Sequence, residues 1–211
     1  MTNSKKIILD LCGGTGSWSQ PYKDAGYDVR LFTLPDNNVL EWEVSGIVNI
    51  VQNGEVYGIL AAPPCTKFSK AAWSVKKADR DFHEGMKCVR ACMDIIWSAQ
   101  EIGAPLAFWA LENPMGYLYN FMGEPAYYFQ PWWFGDETPT RTKRTALWGY
   151  FNYPRRTVRT RNFPFISPHS RPAGDGMLDK QKRNEAWGKM SVEDRAKTSK
   201  EFAVAFFLAN Q

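Results

Sequence analysis

The chain has 211 residues, of which 44% are apolar and 23% are charged, and these ordinary globular proportions exclude an intrinsically disordered protein. This length predicts one domain that can bury a sizeable core. Because the sequence has neither a run of about 20 apolar residues nor the apolar stretch of a signal peptide near its first residue, we expect a soluble cytoplasmic protein without membrane contact.

The predicted elements alternate along the chain. Continuous apolar runs such as YGILAA are typical of strands buried on both faces of a parallel sheet, and residues 152–189, rich in Pro, Arg, Gly and Ser, predict mostly loop. The alternation predicts an α/β fold with an open, mostly parallel sheet and helices on both faces. We predict strands at 6–11, 27–34, 57–62, 106–111, 127–134 and 145–150, and helices at 18–25, 79–101 and 199–210.

The net charge of +4 is mild but unevenly distributed. Residues 141–189 contain twelve Lys or Arg and three Asp or Glu. A basic segment of this kind favours contact with a polyanion, although a solvated surface loop has the same composition.

A glycine-rich turn follows the first predicted strand. Asp10 opens it, and Cys-Gly-Gly-Thr-Gly follows two residues later. The spacing is not that of a phosphate-binding P-loop, nor a complete G-x-G-x-x-G. An acid that enters a glycine turn suits a cofactor with a positively charged amino group, and a purely structural turn is the alternative.

Two further clusters follow later strands. Cys65 comes after two prolines, which stiffen the chain, and nearby Lys67 would favour a thiolate; a small buried cysteine is the alternative. Glu112 ends an apolar strand, where its carboxyl could act as an acid near neutral pH or simply cap a turn. Since neither His83 nor His169 ends a strand, histidine-based catalysis is disfavoured.

The cysteines lack the spacing of a zinc ribbon or a disulfide framework. Cys88 and Cys92 are four residues apart near His83 and could form a metal-binding helix face, but two buried thiols are the favoured interpretation, and we expect no metal. The three unusual clusters instead share the carboxyl ends of predicted strands, where open α/β sheets bind their ligands.

Taken together, the segments LDLCGGTGSWS, AAPPCTKFS and ALENP, in this order, resemble the cytosine-C5 DNA methyltransferases. The matches extend over residues 7–147 and resume near residue 198, so the resemblance implies one catalytic domain over residues 1–211. It also implies a Rossmann-like methyltransferase fold, S-adenosylmethionine as cofactor and DNA as partner. The chain is similar to compact phage-type members, because a basic, loop-rich stretch at about 150–197 replaces a large target-recognition domain.

The resemblance assigns roles to individual residues. Cys65 would be the nucleophile, Glu112 would protonate the cytosine ring, and Arg144 would hold the ring and orient Glu112. Residues implied in substrate binding are Pro64, Lys67, Ser69, Asn113, Pro114, Arg155 and Arg156. Residues implied in cofactor binding are Asp10, Cys12, Gly13, Gly14, Thr15, Gly16, Ser17, Trp18, Asp36, Pro63 and Ser199.

The sequence also departs from the family pattern. Pro114 stands where the family usually has valine, Thr142 replaces the first arginine of a later motif, and the acid that binds the ribose is unclear, with Asp36 nearest and Thr33 at the aligned position. Three alternatives therefore stay open: action on a free cytosine nucleotide, action on single-stranded DNA or RNA, and a decayed DNA-binding or regulatory homologue. The oligomeric state is not indicated.

Overall fold

The computed structural model describes residues 3–42, 44–53, 55–70, 76–136, 144–159 and 197–211. Within these ranges, one mixed sheet is flanked by helices and four short 3-10 turns. The strands are β1 (Lys6–Leu11), β2 (Asp28–Phe32), β3 (Glu55–Ala61), β4 (Phe108–Pro114), β5 (Tyr127–Phe129) and β6 (Thr145–Tyr150). The helices are α1 (Gln20–Asp24), α2 (Val44–Asn53), α3 (Phe82–Glu101), α4 (Tyr119–Met122) and α5 (Lys200–Ala209).

The strand order is β2-β1-β3-β4-β6-β5. Strands β1 to β4 are parallel, and β6 runs antiparallel to both of its neighbours. The chain passes from β1 to β2 on one side and then crosses to β3 on the other side of β1. The carboxyl ends of β1 and β3 therefore flank the point where the strand order reverses, which is where such sheets bind ligands.

Both faces of the sheet are covered. Along β1, Leu9 and Leu11 pack on the side of α2 and α3, whereas Ile8 packs on the side of α1 and α5. On that second side, the Phe202 ring of α5 stacks on Phe129 of β5 with centroids 3.9 Å apart. Burial on both faces explains the continuous apolar runs, since each buried large side chain contributes about 1.5–3 kcal/mol.

The α/β class with a mostly parallel sheet and helices on both faces is confirmed, and the arrangement is compatible with a Rossmann-like fold. The bounds of β1 and β6 match those predicted. The strand predicted at 127–134 is wrong in its second half, because Pro131 cannot donate a ladder hydrogen bond and begins a 3-10 turn. Helix α2 had no counterpart in the prediction.

The spacing of apolar residues predicts a buried stripe on each long helix, and the structure shifts both. The predicted stripes are Phe82, Met86, Val89, Met93, Ile96 and Trp97 in α3, and Phe202, Ala205, Phe206 and Ala209 in α5. In α3, Trp97 was expected in the core but is 56% exposed, because the helix turns Cys92, Ile96 and Ala99 toward the sheet instead. In α5, Ala203 is buried together with the two phenylalanines of the stripe, whereas Ala205 and Ala209 are half-buried. No helix in the described ranges combines the length and the apolar character needed to cross a membrane.

Candidate active site at the carboxyl ends of the strands

The three clusters lie on adjacent strands. At the carboxyl end of the sheet, Leu11 of β1 is paired with Ala61 of β3, and Ala61 is paired with Leu111 of β4. The glycine turn, the Pro-Pro-Cys loop and the Glu-Asn strand end therefore follow one another along one edge.

Backbone geometry explains the glycines of the first turn. The turn leaves β1 with Cys12 at φ 56°, and Gly14 and Gly16 also have positive φ, at 56° and 70°. The Gly16 amide donates to the Gly13 carbonyl at 2.9 Å, which closes the turn. A side chain at Gly13 would collide with the carboxyl group of Asp10. This turn therefore requires glycine at position 13 for close approach and favours it at 14 and 16.

Asp10 lies fully buried at the end of β1. The Ser19 hydroxyl donates to its Oδ2 at 2.5 Å, whereas Oδ1 has no hydrogen-bond partner in the described ranges. Burial raises the pKa of Asp10 to about 6, and the Ser19 hydrogen bond only partly opposes this rise. A buried carboxylate oxygen without a donor is suited to accept a hydrogen bond from an ammonium group. Ser19 was not identified from the sequence, where a serine in a helix start gave no signal.

Replacing Asp10 with asparagine is expected to stabilise the fold at neutral pH. The folded pKa of about 6 exceeds the unfolded value of 3.8. The contribution of Asp10 to the free energy of unfolding is therefore fully present below about pH 4, where the carboxyl is neutral, and is lost as the pH rises through about 6. This difference corresponds to about 3 kcal/mol, so we expect the variant to gain about 1–3 kcal/mol at pH 8. Urea unfolding of both proteins across this pH range measures the gain, and a gain that persists undiminished at about pH 4 would contradict the raised pKa.

The closing helix packs against the glycine turn. Trp18 is buried with its ring centroid 5.3 Å from that of Phe206, and its indole Nε1 has no hydrogen-bond partner in the part of the chain described. Ser199 caps α5 by accepting the Phe202 amide at 3.3 Å. Two predicted cofactor residues from opposite ends of the sequence thus belong to one packed unit, while Gly14 and Thr15 are exposed and Ser17 is half-buried.

The Pro-Pro-Cys loop is a tight turn beside β4. The carbonyl of Cys65 accepts the amides of Phe68 at 3.0 Å and Ser69 at 2.8 Å. Pro63 is buried and Pro64 is exposed, and the thiol-bearing Cys65 is half-buried. The Asn113 side chain donates from Nδ2 to the Pro63 carbonyl at 3.0 Å, and its buried Oδ1 finds no partner among the described residues. This hydrogen bond ties the Pro-Pro-Cys loop to the strand that carries Glu112.

Arg80 fixes the other side of this loop. Its Nη1 donates to the carbonyls of Lys67 and Ser69, both at 3.0 Å, and its guanidinium lies 5.2 Å from the Tyr117 ring centroid. The Tyr117 amide in turn donates to the Phe68 carbonyl at 2.9 Å. Arg80 gave no signal in the sequence, because an arginine between two aspartates is typical of ordinary charged surface, yet this residue is only 8% exposed.

Replacing Arg80 with methionine is expected to loosen the loop, since two buried carbonyls lose their donor. A loss of about 1–3 kcal/mol is expected from the unmade hydrogen bonds, and the amides of Phe68 and Ser69 should exchange with solvent at least about 10-fold faster. Hydrogen exchange followed by mass spectrometry measures the exchange rate of the peptide that contains these two amides. The matched control is Arg90→Met, an exposed arginine further along α3; equal exchange in the two variants would show that Arg80 does not position the loop.

Glu112 is half-buried on β4, and side-chain alternation relates it to Asp10. Asp10 is paired with Leu60 and Leu60 with Ala110, and Glu112 lies two residues beyond Ala110, so both carboxyls project from the same face of the sheet. Glu112 lines a small crevice, whose volume of about 20 Å³ is room for about one water molecule. The other lining residues are Phe129, Pro131, Thr145, Lys197, Thr198 and Ser199.

Two predicted residues lie less directly in the site. Arg144 is at the same edge, since its carbonyl accepts the Met115 amide at 2.8 Å beside buried Pro114, but its guanidinium lies over the Tyr128 ring at 4.6 Å. Asp36 is exposed in the turn after β2, and no side-chain contact ties it to the glycine turn. The Pro-Pro-Cys loop, Glu112 and the glycine turn therefore share one strand-end edge, where the Arg144 guanidinium lies over Tyr128 and Asp36 is exposed.

The described start of the basic segment runs along the edge of β5. Arg156 lies 4.6 Å from the Trp133 ring centroid and donates to the carbonyls of Val158 and Arg159. Arg155 is exposed. Residues 160–196 of the insertion predicted at 150–197 lie outside the described residues, and so does Thr142. Arg156 therefore has a packing role in addition to any role with a ligand.

Comparison with protein-family models and with curated proteins found no match for this chain. Among the described residues, no group of three or more His, Cys, Asp or Glu side chains is placed to hold a metal ion.

Proposed function

We propose that this protein transfers a methyl group from S-adenosylmethionine to C5 of cytosine in DNA, through a covalent bond between Cys65 and C6 of the base. The observation that carries the proposal is the Asn113 to Pro63 hydrogen bond of 3.0 Å, which joins the loop of Cys65 to the strand end of Glu112. A thiol and a carboxyl are thereby held at one strand-end edge, beside a glycine turn.

The residues of the turn fit the proposed cofactor. The unpartnered Oδ1 of Asp10 suits its amino group, and Trp18 and Ser199 close the same side of the sheet. When bound, S-adenosylmethionine supplies an electrophilic methyl group. Ionised Asp10 holds the ammonium end, so asparagine at this position should weaken cofactor affinity even though it stabilises the fold.

The chain's own groups make cytosine reactive. The Cys65 thiolate adds to C6 while Glu112 gives a proton to N3, and C5 thereby becomes an enamine carbon that takes the methyl group. A general base then removes the C5 proton, the electron pair left behind forms the C5–C6 double bond and expels the Cys65 thiolate, and N3 returns its proton to Glu112, which restores the ring. Lys67, two residues along the loop from Cys65 and half-buried, is the cation we propose to stabilise the thiolate. Because the target carbons are inaccessible within a stacked duplex, the base is flipped out of the helix.

Trapping the covalent intermediate tests the proposal. The protein is incubated with radiolabelled S-adenosylmethionine and duplex DNA that contains 5-fluorocytosine. The general base that removes the C5 proton of cytosine cannot remove fluorine from this analogue, so Cys65 is not expelled. We expect a denaturant-resistant protein–DNA adduct that carries the label. Duplex DNA with ordinary cytosine should give labelled DNA without a stable adduct. Absence of both products on duplex DNA would reject the proposal, and parallel reactions with dCMP, single-stranded DNA and RNA show whether another cytosine substrate is used.

A second candidate is a non-catalytic DNA-binding homologue. The position of the Arg144 guanidinium over the Tyr128 ring and the exposure of Asp36 favour it, because packing does not hold either side chain in a substrate or cofactor site. Cofactor binding without turnover on any nucleic acid would support this candidate.

DNA binding is expected to depend on Arg155. An arginine that neutralises one phosphate contributes about 0.9 to the slope of log K against log salt, so Arg155→Glu should lower affinity at low salt and reduce that slope by about one. Fluorescence anisotropy with labelled duplex DNA measures both. Lys5→Glu is the matched control, because exposed Lys5 directly precedes β1 at the opposite end of the sheet. If the two variants bind equally, Arg155 does not contact DNA.

A further inference from the structure

Three of the four cysteines pack on the side of the sheet covered by α3. Two of them are in contact: the sulfur of Cys12, in the glycine turn, is 4.0 Å from that of Cys92 in the middle of α3. Cys88 lies one helical turn earlier on α3, and Cys12, Cys88 and Cys92 are free thiols. The contact joins residues 80 positions apart, so the spacing of the cysteines in the sequence gave no indication of it.

We propose that Cys12 and Cys92 form an oxidisable dithiol site that hydroperoxides close to a disulfide and that small thiols reopen. The two sulfurs need to approach from 4.0 Å to the roughly 2.05 Å of a disulfide bond. Cys12 is half-buried and therefore more accessible to a small oxidant than Cys92, which is fully buried and protected until Cys12 has reacted.

The two thiols have different tasks in the oxidation. Cys12 thiolate attacks one oxygen of the peroxide, the O–O bond breaks, and Cys12 becomes a sulfenic acid while hydroxide leaves and is protonated. The Cys92 sulfur then attacks the Cys12 sulfur, and the hydroxyl group leaves with the Cys92 proton as water. Overall, two thiols and one hydrogen peroxide give one disulfide and two waters, and the two electrons reduce the peroxide.

The electrostatics of the pair support this order. The hydrogen bond from Cys92 lowers the pKa of the Cys12 thiol, and this effect exceeds the opposing effects of burial and of the Asp10 carboxylate. The pKa of Cys92 is raised by the same hydrogen bond and by burial. Burial also raises the pKa of Cys88. Cys12 is therefore the thiol of the three that most readily becomes the attacking thiolate.

Closing the disulfide acts on the glycine turn. Cys12 has a left-handed backbone, is adjacent to Gly13 and lies two residues from Asp10. Drawing its sulfur toward α3 displaces a turn that leaves no room for even a Cβ between Gly13 and the Asp10 carboxyl. Oxidation therefore reorganises the turn and, as far as the proposed function holds, lowers affinity for S-adenosylmethionine.

The test uses Cys65→Ala protein, which leaves three thiols. After treatment with equimolar hydrogen peroxide, we expect one titratable thiol and a mass loss of two hydrogens, and peptide mapping should join Cys12 to Cys92. Adding Cys92→Ser should abolish the loss of two hydrogens, whereas Cys88→Ser should leave it intact. Oxidation to a sulfinic acid, pairing of Cys12 with Cys88, or retention of all three thiols would each overturn the dithiol site.

Two measurements test the consequence for the turn. Hydrogen exchange at the Gly16 amide, which donates to Gly13, should be at least about 10-fold faster in the oxidised protein, and dithiothreitol should restore it. Unchanged exchange would overturn the effect on the turn whether or not any cofactor binds. Equilibrium binding of labelled S-adenosylmethionine should weaken at least about 10-fold on oxidation. If the reduced protein does not bind the cofactor at all, that result counts against the proposed function but does not affect the test of the disulfide between Cys12 and Cys92.

Discussion

Replacing Cys65 with alanine is expected to abolish methyl transfer, with kcat at least about 10³-fold lower, because the variant lacks the thiol that forms the covalent bond activating C5. The loop itself should persist, since the Cys65 carbonyl, and not its thiol, accepts the two hydrogen bonds of the turn. Initial rates of label incorporation into duplex DNA measure the loss, and the 5-fluorocytosine adduct should disappear with it.

The matched control is Cys88→Ala, which removes a half-buried thiol from α3 and leaves the Pro-Pro-Cys loop unchanged. This variant should retain its turnover, and both variants should bind S-adenosylmethionine as the parent protein does. Full methyl transfer by Cys65→Ala would exclude covalent catalysis at this position.

Local sequence pattern predicted much of the sheet. β1 and β6 are continuous apolar runs bounded by turns or charges, and such runs specify a strand that is buried on both faces. Helix α2 escaped prediction because Val44-Ser-Gly-Ile-Val combines β-branched residues with a glycine and has a weak intrinsic helix propensity. Packing of its Ile50 and Val51 against the core on that face is a tertiary contribution that no local pattern contains.

The same limit applies to the site. The residues of the three clusters were identifiable because each follows a strand that the pattern predicts. The contacts that join the clusters were not: Asn113 reaches Pro63 across 50 residues, and Arg80 reaches Lys67 across 13. Those contacts depend on the pairing of β3 with β4 and on the start of α3, which form only in the folded chain.

Replacing Glu112 with glutamine is expected to lower kcat about 10²- to 10³-fold with little change in KM. Glutamine has nearly the same shape and still forms hydrogen bonds to the ring, so binding of the flipped base should persist. It cannot give up a proton to N3, however, so negative charge builds on the ring as Cys65 adds. Steady-state rates at several DNA concentrations separate kcat from KM.

Glu101→Gln is the matched control, because Glu101 is exposed at the last turn of α3, at the far end of that helix from the nucleophile loop. Its kinetics should equal those of the parent protein. The 5-fluorocytosine adduct gives a second measure, since Glu112→Gln should form it more slowly but to the same final extent. Unchanged kcat would remove Glu112 from the mechanism, whereas a large rise in KM at constant kcat would restrict its role to binding the base.

Because the two carboxyl-bearing strands β1 and β4 are separated by β3 alone, a combined Asp10→Asn and Glu112→Gln variant should show multiplicative losses if one residue serves the cofactor and the other serves the base.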